Sequence, residues 1–163
     1  MNLFIKSLAV LSAVLLLAAC ETAPTSTSGK GGTGGNATGA PVAKGSQEDL
    51  TQNVGDRVFF DYNSSELSSD AQQTLERQSA WLKLYPSVNI TVEGHCDERG
   101  TREYNLALGE RRASTTKKYL VGLGIASSRI STISYGKERP AVIGSDESAW
   151  SQNRRAVSVI TNQ

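Results

Sequence analysis

At 163 residues and 38% hydrophobic content, the chain has room for one packed domain plus appendages, since a second domain would be too small to bury a core of its own. Lysine and arginine total 17 against 16 acids, and Lys6 lies in a segment read below as removed, so 17 − 1 leaves 16 against 16. Phosphate binding calls for a basic excess, so no nucleic-acid partner is expected.

Residues 1–20 carry Lys6, an apolar run from Leu8 to Ala19 broken only by Ser12, and then Cys20. A charged start, a short apolar stretch and small closing residues predict a signal peptide over residues 1–19, and the stretch is too short to cross a bilayer. The ending Leu17-Ala18-Ala19-Cys20 resembles the lipobox of bacterial lipoproteins. That resemblance implies that the Cys20 thiol is diacylated and becomes the mature N-terminus; an ordinary signal peptide with an incidental cysteine is the other reading. Glu21 stands where many such proteins carry an aspartate that retains them at the inner membrane, so the resemblance also implies transport to the outer membrane. Several acyl chains, at ~0.8 kcal/mol per buried methylene, make such an attachment effectively permanent. Only Cys96 remains, so no internal disulfide is expected and stability must come from packing.

From Glu21 to Ser46 the sequence is almost entirely Gly, Ser, Thr, Ala and Pro, with no side chain large enough to build a core. It predicts a linker over residues 20–53, whose stretch from Glu21 to Ser46 has a typical end-to-end distance of about 25–30 Å and a stretched limit of roughly 85–90 Å. Anchor and domain can then serve two different surfaces; a disordered tail with no mechanical role is the alternative.

Residues 54–163 alternate strand-like and helix-like segments. Val58-Phe59-Phe60 with Asp61-Tyr62 reads as a first strand, and Ser68 or Ser69 as the N-cap of a helix whose Ala71, Leu75, Leu82 and Tyr85 share a face ending at Pro86. Val88, Ile90, Val92, Gly94 and Cys96 alternate with polar residues in a half-buried strand, so His95 and Cys96 face opposite sides. Leu106, Gly109, Ala113, Thr116, Leu120 and Leu123 stripe a long helix closed by Gly124. Ile130–Tyr135 and Ala156–Thr161 supply two further strands, with a short helix between them. The predicted class is α+β: a two-layer sandwich of a mixed four-stranded β-sheet with helices on one face, in the order β-α-β-α-β-short α-β.

The stretch richest in chemistry runs from Glu93 to Thr101 and on through Tyr104 to Ala113, placing a strand end, a polar loop and a helix start in succession. Unpaired N–H groups and the dipole at such a helix start favour an anion. At 100° per residue Asn105 and Arg112 fall about 20° apart, with Leu108 near that line, forming a ledge about 10 Å long. Asp97 at the strand's end presents a carboxylate to an ammonium group and Arg112 a planar fork to a carboxylate, which suits a zwitterion. An internal Asp97–Arg112 salt bridge that merely pins the loop is the competing reading.

These residues closely resemble the OmpA-like domain family over about residues 54–163. The specific pieces are Val92-Glu93-Gly94-His95, Asp97-Glu98-Arg99-Gly100-Thr101, Leu108-Gly109-Glu110-Arg111-Arg112-Ala113, Ser134-Tyr135-Gly136-Lys137-Glu138 through Pro140, and Asn153-Arg154-Arg155-Ala156-Val157. The resemblance implies noncovalent binding of diaminopimelate in peptidoglycan stem peptides, with Asp97 on its ammonium end and Arg112 on a carboxylate. Asp61, Arg99 and Leu108 are implied as further contacts, supported by Tyr62, His95, Gly100, Thr101 and Asn105. It also implies partnership with TolB, and through it with the TolA-containing complex, in envelope integrity and outer-membrane invagination at division. Cys96 departs from the small residue expected there and reads as a buried thiol, a redox-sensitive thiol at the rim being the alternative.

Catalysis is not expected. His95 and Cys96, the one possible Cys/His pair, face opposite ways, and a single histidine with scattered acids gives little support to a metal hydrolase, so neither metal nor cofactor is expected. A protein-interaction adaptor that does not bind the wall itself is the second rival. His95 invites a pH-switch role, but its more ordinary one is to fix the loop by a hydrogen bond. Arg154 and Arg155 are either a solvated pair or part of the pocket.

Overall fold

The computed structural model describes residues 42–161. The signal peptide, Cys20 and most of the expected linker lie outside the described residues.

The sheet has four strands in the order β1-β4-β2-β3: β1 is Arg57–Phe59, β2 Ile90–His95, β3 Ile130–Gly136 and β4 Arg155–Ile160. β4 runs antiparallel to both β1 and β2, while β2 and β3 are parallel, so the sheet is mixed as expected. Helix α2, Ser69–Leu84, joins β1 to β2; α3, Arg102–Gly122, joins β2 to β3; and the short α4, Glu147–Asn153, precedes β4.

Paired residues share a face, so Ile90, Val92 and Gly94 line up with Ile160, Ser158 and Ala156. Helices α2 and α3 both cover that face: Ser158 donates to Gln78 of α2 at 2.8 Å and Ser134 to the Leu106 carbonyl of α3 at 2.7 Å. Leu75 and Leu82 of α2, and Ala113 and Leu120 of α3, are buried there against Val58, Ile90, Val92 and Ile130. The approach of α3 is backbone on backbone. A Cβ at Gly94 would lie 1.9 Å from the Gly109 carbonyl oxygen, and one at Gly109 2.3 Å from the Ser134 hydroxyl. Two facing glycines therefore seat α3, and everything at its N-terminal end, against the end of β2.

The helix ends follow the expected signals. Ser68 accepts from the Ala71 amide at 3.2 Å, Thr101 from the Tyr104 amide at 3.2 Å, and Gly124 closes α3 at φ +95°.

One boundary differs from expectation. The linker was read to residue 53, but Gln47–Asp49 forms a helical turn, α1, that continues as a wider turn over Leu50–Val54 and packs on the domain. Leu50 is 1% exposed. The Asp49 carboxylate accepts from the Gly45 amide, the Asn53 amide group and the Trp81 indole at 2.7–2.9 Å, and these hydrogen bonds hold it below the usual carboxylate range. The Gln47 side chain accepts from the Ile160 amide at 2.8 Å and donates to the Ser158 carbonyl at 3.3 Å, extending the ladder of β4 past the end of β1. A segment with one large apolar residue lacks a period to read, because here polar side chains do the docking.

Candidate functional site

The Cys96–Gly100 loop, the start of α3, the loop after β1 and the α4–β4 junction converge on a small pocket. Its cavity is about 60 Å³ and is lined by Tyr62, Asn63, Cys96, Asp97, Arg99, Gly100, Tyr104, Asn105, Leu108 and Arg112. Seven residues expected from the sequence thus come together. Asp61 lines an adjoining open cleft with Phe59, Glu66, Gln152 and Arg154, Thr101 caps α3, and the His95 ring lies on the other face of the sheet.

Asp97 is 4% exposed. One carboxylate oxygen accepts from the Arg99 amide at 3.1 Å and its Nε at 3.2 Å, the other from Arg99 Nη2 at 2.5 Å, and Arg154 Nη1 stands 3.6 Å away. Burial alone would raise the Asp97 carboxyl, but the Arg99 hydrogen bonds with the Arg99 and Arg154 charges outweigh it and hold the group below its ordinary range. The Arg99 guanidinium sits between two rings, 4.1 Å from the centre of Tyr62 and 4.0 Å from that of Trp150. Asn105 holds the loop's main chain by donating to the Arg99 carbonyl at 2.8 Å and the Thr101 carbonyl at 3.0 Å. Gly100, at φ +88°, supplies the left-handed turn between them.

Arg112 does not pair with Asp97, which answers the competing reading of a pinning salt bridge. Fully buried, it donates from Nε to the Ser64 carbonyl at 2.8 Å, from Nη1 to that of His95 at 2.8 Å, and from Nη2 to that of Asp61 at 3.0 Å. These bonds join the loop after β1 to the end of β2 and form the pocket floor. Three of the five guanidinium N–H groups are thus taken by carbonyls, the Cys96 sulfur offers a further contact, and burial works against the charge.

His95 holds the loop differently from expectation. Its backbone carbonyl, not its ring, accepts from Arg112. The buried ring lies 5.5 Å from the Tyr135 ring, with Nε2 3.5 Å from the Glu93 carboxylate. Burial, then the Arg155, Arg139 and Arg57 charges, push its pKa down to about 4, so the ring is neutral at neutral pH. Cys96 is 3% exposed, its thiol is near the Asn105 carbonyl at 3.4 Å, and burial raises its pKa, as the buried-thiol reading expected.

Arg154, left open from the sequence, belongs to the site: it is buried, donates to the Phe60 carbonyl at 3.0 Å, pairs with Glu147 at 2.5 Å and flanks Asp97. Trp150 also stands at the site. Its indole donates to Glu98 at 3.1 Å, which holds the ring over Arg99. Tyr104, hydrogen bonded to Asn63 across the pocket mouth, was not singled out. Arg154 stands in the Asn153-Arg154-Arg155 run, the one signal that pointed to it; Tyr104 and Trp150 gave none.

The site therefore offers a buried anion beside a helix start, flanked by cations and framed by aromatic rings, a design for holding a small charged ligand. The arrangement and the mixed sheet beneath it define an OmpA-like binding module, and the chain belongs to the OmpA family, matched over residues 59–154. It is 58% identical over 132 residues to the peptidoglycan-associated lipoprotein of Agrobacterium fabrum, spanning 81% of this chain and 73% of that one. With the protein of the same name from Haemophilus influenzae it is 42% identical over 157 residues, spanning 96% and 98%. Among solved structures, the peptidoglycan-associated lipoprotein of Burkholderia pseudomallei superposes with a TM-score of 0.66 at 37% identity, covering 70% of this chain and 98% of the other. The C-terminal domain of Helicobacter pylori MotB, at 23% identity and a TM-score of 0.62 over 66% and 85%, shares the fold.

Proposed function

We propose that this chain is an outer-membrane lipoprotein that binds peptidoglycan noncovalently through the Asp97 pocket and so ties the membrane to the wall. The ligand is the diaminopimelate residue of the stem peptide, its ammonium received by Asp97 and a carboxylate drawn to the side where Arg112, Arg99 and Arg154 stand. Leu108 forms the apolar wall, and Asp61 meets the peptide where it leaves the pocket. The observation that carries this reading is the buried Asp97 carboxylate, 4% exposed yet lining a pocket among three arginines. An anion so placed is a strong receptor for an ammonium group because the pocket holds it dehydrated and charged. Family membership and the names of the relatives support the choice of wall over other partners.

We propose further that acylated Cys20 anchors the chain and that the Gly/Ser/Thr-rich segment after it spans the gap to the wall. Partnership with TolB and the TolA-containing complex, on a surface overlapping the pocket, rests on the family resemblance. The role is binding, without turnover.

Sedimentation of the full chain in detergent with purified peptidoglycan tests the assignment. The wild-type chain is expected in the pellet and Asp97→Asn in the supernatant. Co-sedimentation of Asp97→Asn at the wild-type level would move the ligand elsewhere, and failure of the wild-type chain to pellet would favour an adaptor that leaves the wall to its partners.

A further inference from the structure

The Asp97 carboxylate is already engaged: Arg99 takes both of its oxygens with three hydrogen bonds of 2.5–3.2 Å. A ligand ammonium flanked by a carboxylate would meet Asp97 across the small open cavity beside it, on the side that Arg99 now occupies. Seating such a group on Asp97 requires a side chain to move, and three arginines stand nearby.

Two of them are held. Arg112 is fully buried and bonded to three carbonyls, and Arg154, with 8% of its side chain exposed, is bonded to the Phe60 carbonyl and Glu147. The side chain of Arg99 is 29% exposed and is kept by Asp97 and two ring faces alone. Its main chain is pinned independently, the amide by Asp97 and the carbonyl by Asn105. The guanidinium can therefore swing while the loop keeps its shape.

We propose that Arg99 is an exchangeable counter-ion that makes the pocket selective for a ligand carrying an ammonium and a carboxylate on the same carbon; the inference rests on the reading of Asp97 above. A ligand ammonium displaces Arg99 from Asp97. If the ligand brings a carboxylate beside that ammonium, the released guanidinium re-pairs with it while remaining between Tyr62 and Trp150. If the ligand brings an ammonium alone, one cation merely replaces another and Arg99 loses its partner in a half-buried place. The free end of diaminopimelate meets the first case and the lysine side chain, its counterpart in other cell walls, the second. Arg99 thus reads the pair of charges, not the ammonium alone.

Calorimetric titration of the full chain in detergent tests this with two synthetic tripeptides, L-Ala-γ-D-Glu-meso-diaminopimelate and L-Ala-γ-D-Glu-L-Lys. The wild-type chain is expected to prefer the first by at least about tenfold, the scale of one charge-assisted bidentate contact. In Arg99→Gln the preference falls to within about threefold, affinity for the diaminopimelate peptide dropping and that for the lysine peptide rising because Asp97 is uncovered. Trp150→Ala, which removes one ring of the sandwich, narrows the preference in the same direction and serves as the second probe should Arg99→Gln unfold. Wild-type discrimination retained in Arg99→Gln or in Trp150→Ala would overturn the proposal, as would loss of both peptides from a folded Arg99→Gln. A wild-type chain that binds the diaminopimelate peptide without preferring it would overturn the proposal and leave the pocket assignment standing. One that binds neither peptide would remove both.

Discussion

His95 is the only histidine of the chain, 2% exposed and held at a pKa of about 4, while in the unfolded chain it titrates at about 6.5. Its charged form is disfavoured in the folded state, so the unfolded chain takes up the proton first as pH falls. Stability is therefore full above about pH 6.5, falls as pH drops through the interval between 6.5 and about 4, and levels once the folded protein also protonates. At ~1.4 kcal/mol per pKa unit, a difference of about 2.5 units corresponds to an upper limit of about 3–4 kcal/mol. The assay is urea unfolding at pH 7, 6, 5 and 4 for wild type and His95→Gln, with an NMR titration of the single imidazole. Wild type is expected to lose about 2–3 kcal/mol across that interval, and His95→Gln, whatever its stability at pH 7, to show little of this slope. Asp49 and Asp97, held below their ordinary range, give up stability only below about pH 4, which separates their contribution. A folded-state pKa near 6.5, or an undiminished slope in His95→Gln, would refute the burial argument. The same result bears on function, since a ring that stays neutral above about pH 5 cannot switch the pocket in mild acid.

Gly94→Ala puts a methyl group 1.9 Å from a backbone oxygen of α3, and a loss of about 3 kcal/mol or more is expected in thermal unfolding; a change below ~1 kcal/mol would mean that α3 does not sit against β2 as described. Leu50→Ala should cost about 2–4 kcal/mol by the same measurement, whereas a residue in an unpacked linker would cost nothing measurable. Arg112→Gln, which leaves two or more buried carbonyls without a donor, is expected to destabilise by about 3–5 kcal/mol and to weaken binding through the pocket floor. Asp97→Asn should lower wall binding and also lower the melting temperature, because Arg99 and Arg154 lose the charge that they face, while the chain stays folded.

The sheet, both long helices and their caps were legible because apolar residues repeat with clean periods: every second residue from Val88 to Cys96, and the Gly109-Ala113-Thr116-Leu120 stripe of α3. The family motif brought Asp97, Arg99, Leu108 and Arg112 to one pocket. What periodicity does not carry is docking by polar groups. Gln47 and Asp49 secure α1 through side-chain hydrogen bonds to β4 and Trp81, and nothing in their spacing marks them as buried. Partner choice is equally invisible from spacing. Both Arg99 and Arg112 stand close enough in sequence to meet Asp97, and the decision falls to Arg112 meeting three carbonyls that only the folded chain assembles. Trp150 and Arg154 reach the pocket from α4 and its C-cap, some fifty residues away; only the Asn153-Arg154-Arg155 run gave a signal, and that for Arg154 alone.

A crystal structure of the chain with L-Ala-γ-D-Glu-meso-diaminopimelate bound would bear most directly on the site. The expected result is the ligand ammonium at about 2.7–2.9 Å from the Asp97 carboxylate, with the adjoining carboxylate on a guanidinium. A stem peptide seated elsewhere, with Asp97 still held by Arg99, would contradict it.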